Sequence, residues 1–198
     1  MPFLDSLHYE IYRRWSQFKL RNKFIPSHEK RVEANYTDLY FLYKNVRERK
    51  PQVVFEFGSG YSTLVLTYAL SDNMSGKLYS MEDNHYWFLE TKKLIPQHLV
   101  KFCDVIESPA EEVRDRVLRY TIVPDVAPDF VYLDGPSTLK SDPITLNVLE
   151  IEEKLPIGFF LVVDGRKKNV EFYRKELKRS YIFKNRKAFA NSTFTLIR

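Results

Sequence analysis

A doubly wound α/β domain with a mostly parallel sheet is the fold class this sequence predicts, on three observations. Short apolar runs alternate with segments of helical spacing through residues 51–198, the rhythm of strand, helix and strand that builds parallel sheets. The first run passes into Gly58-Ser59-Gly60 and then a helix start at Tyr61-Ser62-Thr63. Four runs carry an acid at or beside their carboxyl ends, namely Glu56, Glu82, Asp134 and Asp164. In open α/β sheets, ligands bind outside those ends.

Residues 1–50 read as a helical cap belonging to the same domain. Leu4, Leu7, Ile11, Trp15 and Phe18 recur at spacings of three and four, one face of a helix over about 3–20. Pro26 and Ser27 end that stretch, and a second helix over about 29–49 turns Val32, Tyr36, Leu39, Tyr40 and Tyr43 inward. Beyond Pro51 the spacing gives strands at 53–57, 77–81, 100–106, 130–133 and 159–163. Two more, 181–187 and 193–197, form an antiparallel hairpin around an Ala-Asn-Ser turn, which makes seven. Helices fall at 63–70 and between Asn84, as cap, and Pro96. Ser108-Pro-Ala-Glu111 has the form of a capping box and opens a helix to about Tyr120. Asp142-Pro143 opens another, with Ile144, Val148, Ile151 and Leu155 on one face, and one more helix follows Asp164-Gly165.

A strand that runs into a glycine turn lets a ligand approach the backbone, and the helix beyond offers unpaired N–H groups. A dinucleotide fingerprint needs a third glycine where this chain has Thr63. Glu56 would repel a pyrophosphate there, and would attract the ammonium and sulfonium of S-adenosylmethionine. An acidic residue, then Gly-x-Gly, then a helix-starting Ser or Thr resembles the first motif of the class I S-adenosylmethionine-dependent methyltransferases. The resemblance covers about residues 51–198 and implies a Rossmann-like sheet of seven strands. It implies cofactor contacts from Glu56, Gly58, Ser59, Gly60, Ser62, Thr63, Glu82, Asp83, Asp104, Ser108 and Asp134. Glu82 would hold the ribose hydroxyls, and Asp104 and Ser108 would lie near adenine, with helix capping an equal role for Ser108.

Within that class the pattern is most similar to small-molecule O-methyltransferases of the catechol type, in which aspartates after strands four and five hold magnesium. Asp134 and Asp164 match those places, so the resemblance implies a Mg²⁺ site. The chain departs from the pattern at Gly165 and Arg166, where the family continues into asparagine, and a third protein ligand is left unidentified. Asp134 is the candidate base, with His85 and Lys140 as alternatives. The activity implied is O-methylation of a small sugar-like or phenolic molecule. An RNA-modifying methyltransferase and a non-catalytic cofactor-binding protein are the alternatives. An Asn/Asp-Pro-Pro-Tyr/Phe tetrapeptide after strand four, suited to exocyclic base nitrogens, is absent from the sequence.

Charge is divided unevenly along the chain. Residues 1–50 carry +5, residues 51–164 carry −9 and residues 165–198 carry +9. An acidic middle suits a cationic cofactor, while basic ends suit an anionic partner, nucleic acid or solvent. The acceptor pocket is expected from the amino-terminal helices and loops 135–142 and 165–170. There Pro136, Ser137, Lys140, Arg166, Lys167 and Lys168 would favour an anionic or sugar-phosphate substrate. The lone Cys103 suits a reducing cytoplasm, no apolar run is long enough to span a bilayer, and the aromatic first helix offers a homodimer contact.

Overall fold

Strand β1 (Val53–Phe57) explains how the domain is layered. Successive side chains of a strand point to opposite faces. Val54 joins one apolar cluster, with Leu66, Ala69 and Leu70, while Phe55 and Phe57 join another, with Leu133, Val163 and Tyr173. A strand buried on both faces is the signature of a parallel sheet between helical layers. The computed structural model describes residues 36–136, 143–186 and 191–198. The expected helix at 3–20, the start of the second helix, Lys140, Ser137 and Asp142 lie outside them.

The elements follow in chain order as α1 (Tyr36–Arg49), β1, α2 (Tyr61–Asn73), β2 (Lys77–Glu82) and α3 (His85–Leu94). A 3₁₀ turn at Gln97–Phe102 leads to β3 (Cys103–Glu107), and then come β4 (Ala110–Arg114), β5 (Val117–Tyr120), β6 (Phe130–Leu133) and β7 (Ile144–Thr145). The remainder is α4 (Asn147–Glu150), a 3₁₀ turn at Glu152–Lys154, β8 (Phe160–Asp164), α5 (Lys167–Glu176), β9 (Tyr181–Arg186) and β10 (Asn191–Leu196). Seven strands form one sheet in the order β3-β2-β1-β6-β8-β10-β9. β10 is antiparallel to both its neighbours and the other described pairings in that sheet are parallel. The expected doubly wound sheet with a terminal hairpin is present. Strand order reverses between β1 and β6, so their carboxyl ends open the crevice where ligands bind in such sheets.

Three local expectations are corrected. Residues 108–120 form a hairpin in a second sheet, ordered β4-β5-β7, instead of a capped helix. Tertiary pairing overrides the capping pattern: Val117 pairs with Ile144 across β5 and β7. The Asn147 amide also closes on Tyr120, accepting from its N–H at 2.9 Å and donating to its carbonyl at 3.0 Å. The hairpin sets the fully buried Tyr120 ring against Phe57, with centroids 5.4 Å apart. Second, the long helix expected after Pro143 is replaced by β7, the single turn α4 and a 3₁₀ turn, because Ile144 is drawn into the small sheet. Third, Asn191 and Ser192, expected in a turn, already belong to β10 and pair with Arg186 and Asn185.

Candidate active site

Glu56 shares the β1 face that α2 covers, and it is wholly buried. Its Oε2 accepts from the Thr63 and Ser80 hydroxyls, each at 2.6 Å. Thr63 Oγ1 in turn accepts from the Gly60 N–H at 2.9 Å, so one hydroxyl joins strand, turn and helix start. Burial raises the carboxyl to about 7 despite the opposing Ser62, Ser80 and Thr63 hydroxyls. Glu56 Oε1 has no partner of good hydrogen-bond geometry, although the Ser62 hydroxyl stands near the carboxyl. A buried carboxylate oxygen without a well-placed donor is costly. A cation placed just above the loop would relieve that cost. Glu56 therefore lies beneath the loop and is not open on the cleft.

The glycines divide the work. Gly58, at φ +90°, packs backbone to backbone with Gly135, and a Cβ added to it would stand 2.7 Å from the Gly135 nitrogen. Its constraint is the approach of two strand-end loops. Over Gly60 a Cβ would meet nothing within 4 Å, so open space for a ligand lies there, in front of the first turn of α2. Helix starts favour anions such as a carboxylate.

Glu82 ends β2 and is 5% exposed. Its Oε2 accepts from the Ser59 N–H at 2.7 Å and the Ser59 hydroxyl at 2.8 Å, while Oε1 accepts from the Asn84 N–H at 3.0 Å. The carboxylate braces the glycine turn from the end of β2. Half-buried Asp83 receives the Tyr120 hydroxyl at 3.5 Å, and burial, then Glu82, raises its carboxyl. Ser108 is buried, with its N–H on the Glu82 carbonyl at 2.8 Å and its hydroxyl accepting from the Ile122 N–H at 2.9 Å. It ties the hairpin to the end of β2 and caps no helix.

Two sequence-predicted residues are placed elsewhere. Asp104 lies opposite Tyr79 in the early part of β3 and pairs with Lys77, the first residue of β2, at 2.9 Å, toward the amino edge of the sheet. The side chain at the carboxyl end of that strand is Glu107. His85 opens α3, is mostly exposed, and its Nδ1 lies 2.7 Å from Glu107 Oε1. Since β3 and β6 are separated by β2 and β1, a residue paired to Glu107 stands about 14 Å from the end of β6 at ordinary strand spacing. The His85 ring is held toward the β3 end of the sheet edge.

Asp134 follows β6, and its side chain is half exposed at the crevice. Arg166, almost wholly buried, donates to the Asp134 carbonyl at 2.5 Å and the Pro136 carbonyl at 2.9 Å, and its Nε lies 3.9 Å from Asp134 Oδ1. It is a staple for the 134–136 loop; Lys167 and Lys168 are exposed. Asp164 accepts the Tyr132 hydroxyl at 2.9 Å, and burial raises its carboxyl against the Tyr132 hydrogen bond and Arg166. No group of three candidate ligands converges among the described residues, and a guanidinium already stands beside Asp134. Sequence reasoning missed Tyr120 and Asn147, which close the hairpin against the site. For Tyr120 the available signal was an aromatic ending a Val-Leu-Arg-Tyr run that alternates as a strand does.

No family model matches the chain, and no curated protein matches its sequence. Solved structures do. The SAH-bound methyltransferase of Podospora anserina superposes with a TM-score of 0.62 at 15% identity, covering 96% of this chain and 88% of that one. The O-methyltransferase from Bacillus cereus in complex with SAH gives 0.58 at 14% identity, covering 96% of this chain and 100% of that one. TomG, the O-methyltransferase from Streptomyces achromogenes in complex with SAM, gives 0.55 at 14% identity, covering 96% and 98%. The chain has the Rossmann-like fold of the class I methyltransferases. Among the described residues no helix is long and apolar enough to cross a membrane.

Proposed function

We propose that the protein is an S-adenosylmethionine-dependent methyltransferase that methylates an oxygen of a small hydroxylated molecule by in-line displacement. The observation that carries this reading is Glu56, a wholly buried acid beneath the glycine turn with one oxygen lacking a well-placed donor. A negative charge there favours an ammonium and disfavours a diphosphate. The start of α2 suits the carboxylate of the same amino-acid moiety, and Glu82 at the end of β2 suits ribose hydroxyls. When bound, the cofactor supplies an already activated methyl electrophile.

The chain's own part is to hold and deprotonate the acceptor. Asp134, half exposed at the strand switch with its backbone stapled by Arg166, would take the proton of an acceptor hydroxyl. Fixing the nucleophile in line lowers the barrier by several kcal/mol, on the order of what intramolecular reactions gain from orientation. O-methyltransferases among the structural neighbours support oxygen as the acceptor atom. The direct test is a heat-shift experiment with S-adenosylhomocysteine, followed by transfer of labelled methyl groups to hydroxylated acceptors. Stabilisation by NAD without any response to S-adenosylhomocysteine would refute it.

A further inference from the structure

Helix α3 shows solvent most of its large side chains: Tyr86, Trp87 and Leu89 are exposed, and its one buried residue is Thr91. A threonine inside a helix commonly turns its hydroxyl back to the carbonyl four residues earlier, as Thr67 does to Thr63 at 2.6 Å. The Thr91 hydroxyl lies instead 3.0 Å from the hydroxyl of Ser59. Ser59 carries the only side chain of Gly58-Ser59-Gly60, so it is the one handle by which the rest of the protein can grip the middle of that turn from the side.

The direction of the contact follows from proton counting. A serine hydroxyl has one proton, and Ser59 gives it to Glu82 Oε2 at 2.8 Å, the oxygen that also accepts the Ser59 N–H at 2.7 Å. Ser59 Oγ is therefore the acceptor from Thr91. The line runs from Thr91 to Ser59 to Glu82, each hydroxyl polarising the next. The other Glu82 oxygen accepts from the Asn84 N–H at 3.0 Å, and Asn84 Oδ1 caps α3 by accepting from the Tyr86 and Trp87 N–H groups at 3.0 and 3.2 Å. α3 is thus fastened to the glycine turn twice, at its cap through Glu82 and about two turns later through Thr91.

We propose that Thr91 is a positioning residue for the methyl donor. From α3 it fixes Ser59, and through Ser59 it sets the turn beside the open space over Gly60. Its action is through Ser59 and not by touching the ligand. Turn and helix then move as one body, and a molecule seated over Gly60 steadies the second half of α3. This rests on the methyltransferase reading, which seats the amino-acid part of S-adenosylmethionine over that turn.

The test measures binding of S-adenosylhomocysteine to the full-length protein by calorimetry. Thr91→Val keeps the size of the side chain and drops the donor, whereas Thr91→Ser keeps the donor and drops a methyl group. Thr91→Val is expected to weaken binding about three- to tenfold, the range that one neutral hydrogen bond covers. Thr91→Ser should bind as the unsubstituted protein does, even where the lost methyl lowers its melting temperature. In a Ser59→Ala background, Thr91→Val should have no further effect on affinity. Unchanged binding by Thr91→Val, binding by Thr91→Ser as weak as by Thr91→Val, or effects of Thr91→Val and Ser59→Ala that simply add overturns the role. If Thr91→Val does not fold, amide exchange in the unsubstituted protein decides: S-adenosylhomocysteine should slow exchange at residues 89–94 as well as 58–63, and slowing confined to 58–63 overturns it. No binding of S-adenosylhomocysteine by the unsubstituted protein would instead overturn the methyltransferase reading beneath it.

Discussion

Replacing Glu56 with Gln isolates the buried charge under the glycine turn. The carboxyl rises from an ordinary 4.5 to about 7 in the folded protein. At about 1.4 kcal/mol per unit, that gap corresponds to about 3 kcal/mol. Its sign follows from proton counting. Between 4.5 and 7 the folded chain keeps a proton that the unfolded chain has lost, so stability falls as pH rises through that window and the full penalty is present above about 7. Glutamine does not titrate and keeps the shape of the side chain. Urea denaturation of both proteins at several points from pH 5 to 8 should therefore show the variant gaining about 2–3 kcal/mol on the wild type across that range. The absolute difference at any one pH also contains the change in the Thr63 and Ser80 hydrogen bonds, and only the slope reports the charge. A difference between the two proteins that stays constant from pH 5 to 8 would refute the reasoning. The same group couples to cofactor binding: an ammonium over the loop favours the ionised acid, so binding of S-adenosylhomocysteine at pH 6 should release close to one proton. Calorimetry in buffers of different ionisation enthalpy measures that release, and Glu56→Gln should abolish it.

In protein saturated with S-adenosylmethionine, Asp134→Asn should lower the rate of methyl transfer by roughly 10²–10⁴-fold, the usual contribution of a positioned base; an unchanged rate would remove Asp134 from that role. Gly135→Ala drives a Cβ to 2.6 Å from the Gly58 nitrogen and Cα and against the Tyr120 hydroxyl. It should cost about 1–3 kcal/mol in urea denaturation, as overpacking does. Asn147→Ala leaves the buried Tyr120 N–H and carbonyl without their partner. A loss of about 1–3 kcal/mol is expected, together with faster amide exchange across residues 110–120.

Legibility in the sequence followed burial. Strands such as 53–57 and 130–133 are buried on both faces, and their short, mostly apolar runs bounded by turn residues read as strands, so the main sheet was visible along with the acids at its edge. The Gly-x-Gly turn was equally plain, although the reason for Gly58 was not. Only tertiary structure brings Gly135 against it. The failures fall where two local signals competed and a distant residue decided. Ser108-Pro-Ala-Glu111 satisfies a helix-capping pattern, yet pairing with residues 144–145 and the Asn147 clasp on Tyr120 make the segment a hairpin. The burial of Asp38 was unreadable for a related cause. On a helix of alternating aromatics and charges it resembles a solvated position, and only the packing of α1 over Asn191 and Asp164 buries it.

The backbone contact between Gly58 and Gly135 makes two loops from distant parts of the chain behave as one hinge plate. Movement of either loop toward the other is opposed at once by backbone contact, with no side chain between them. A side chain at either position would press on the opposite backbone, so the two glycines stand or fall together.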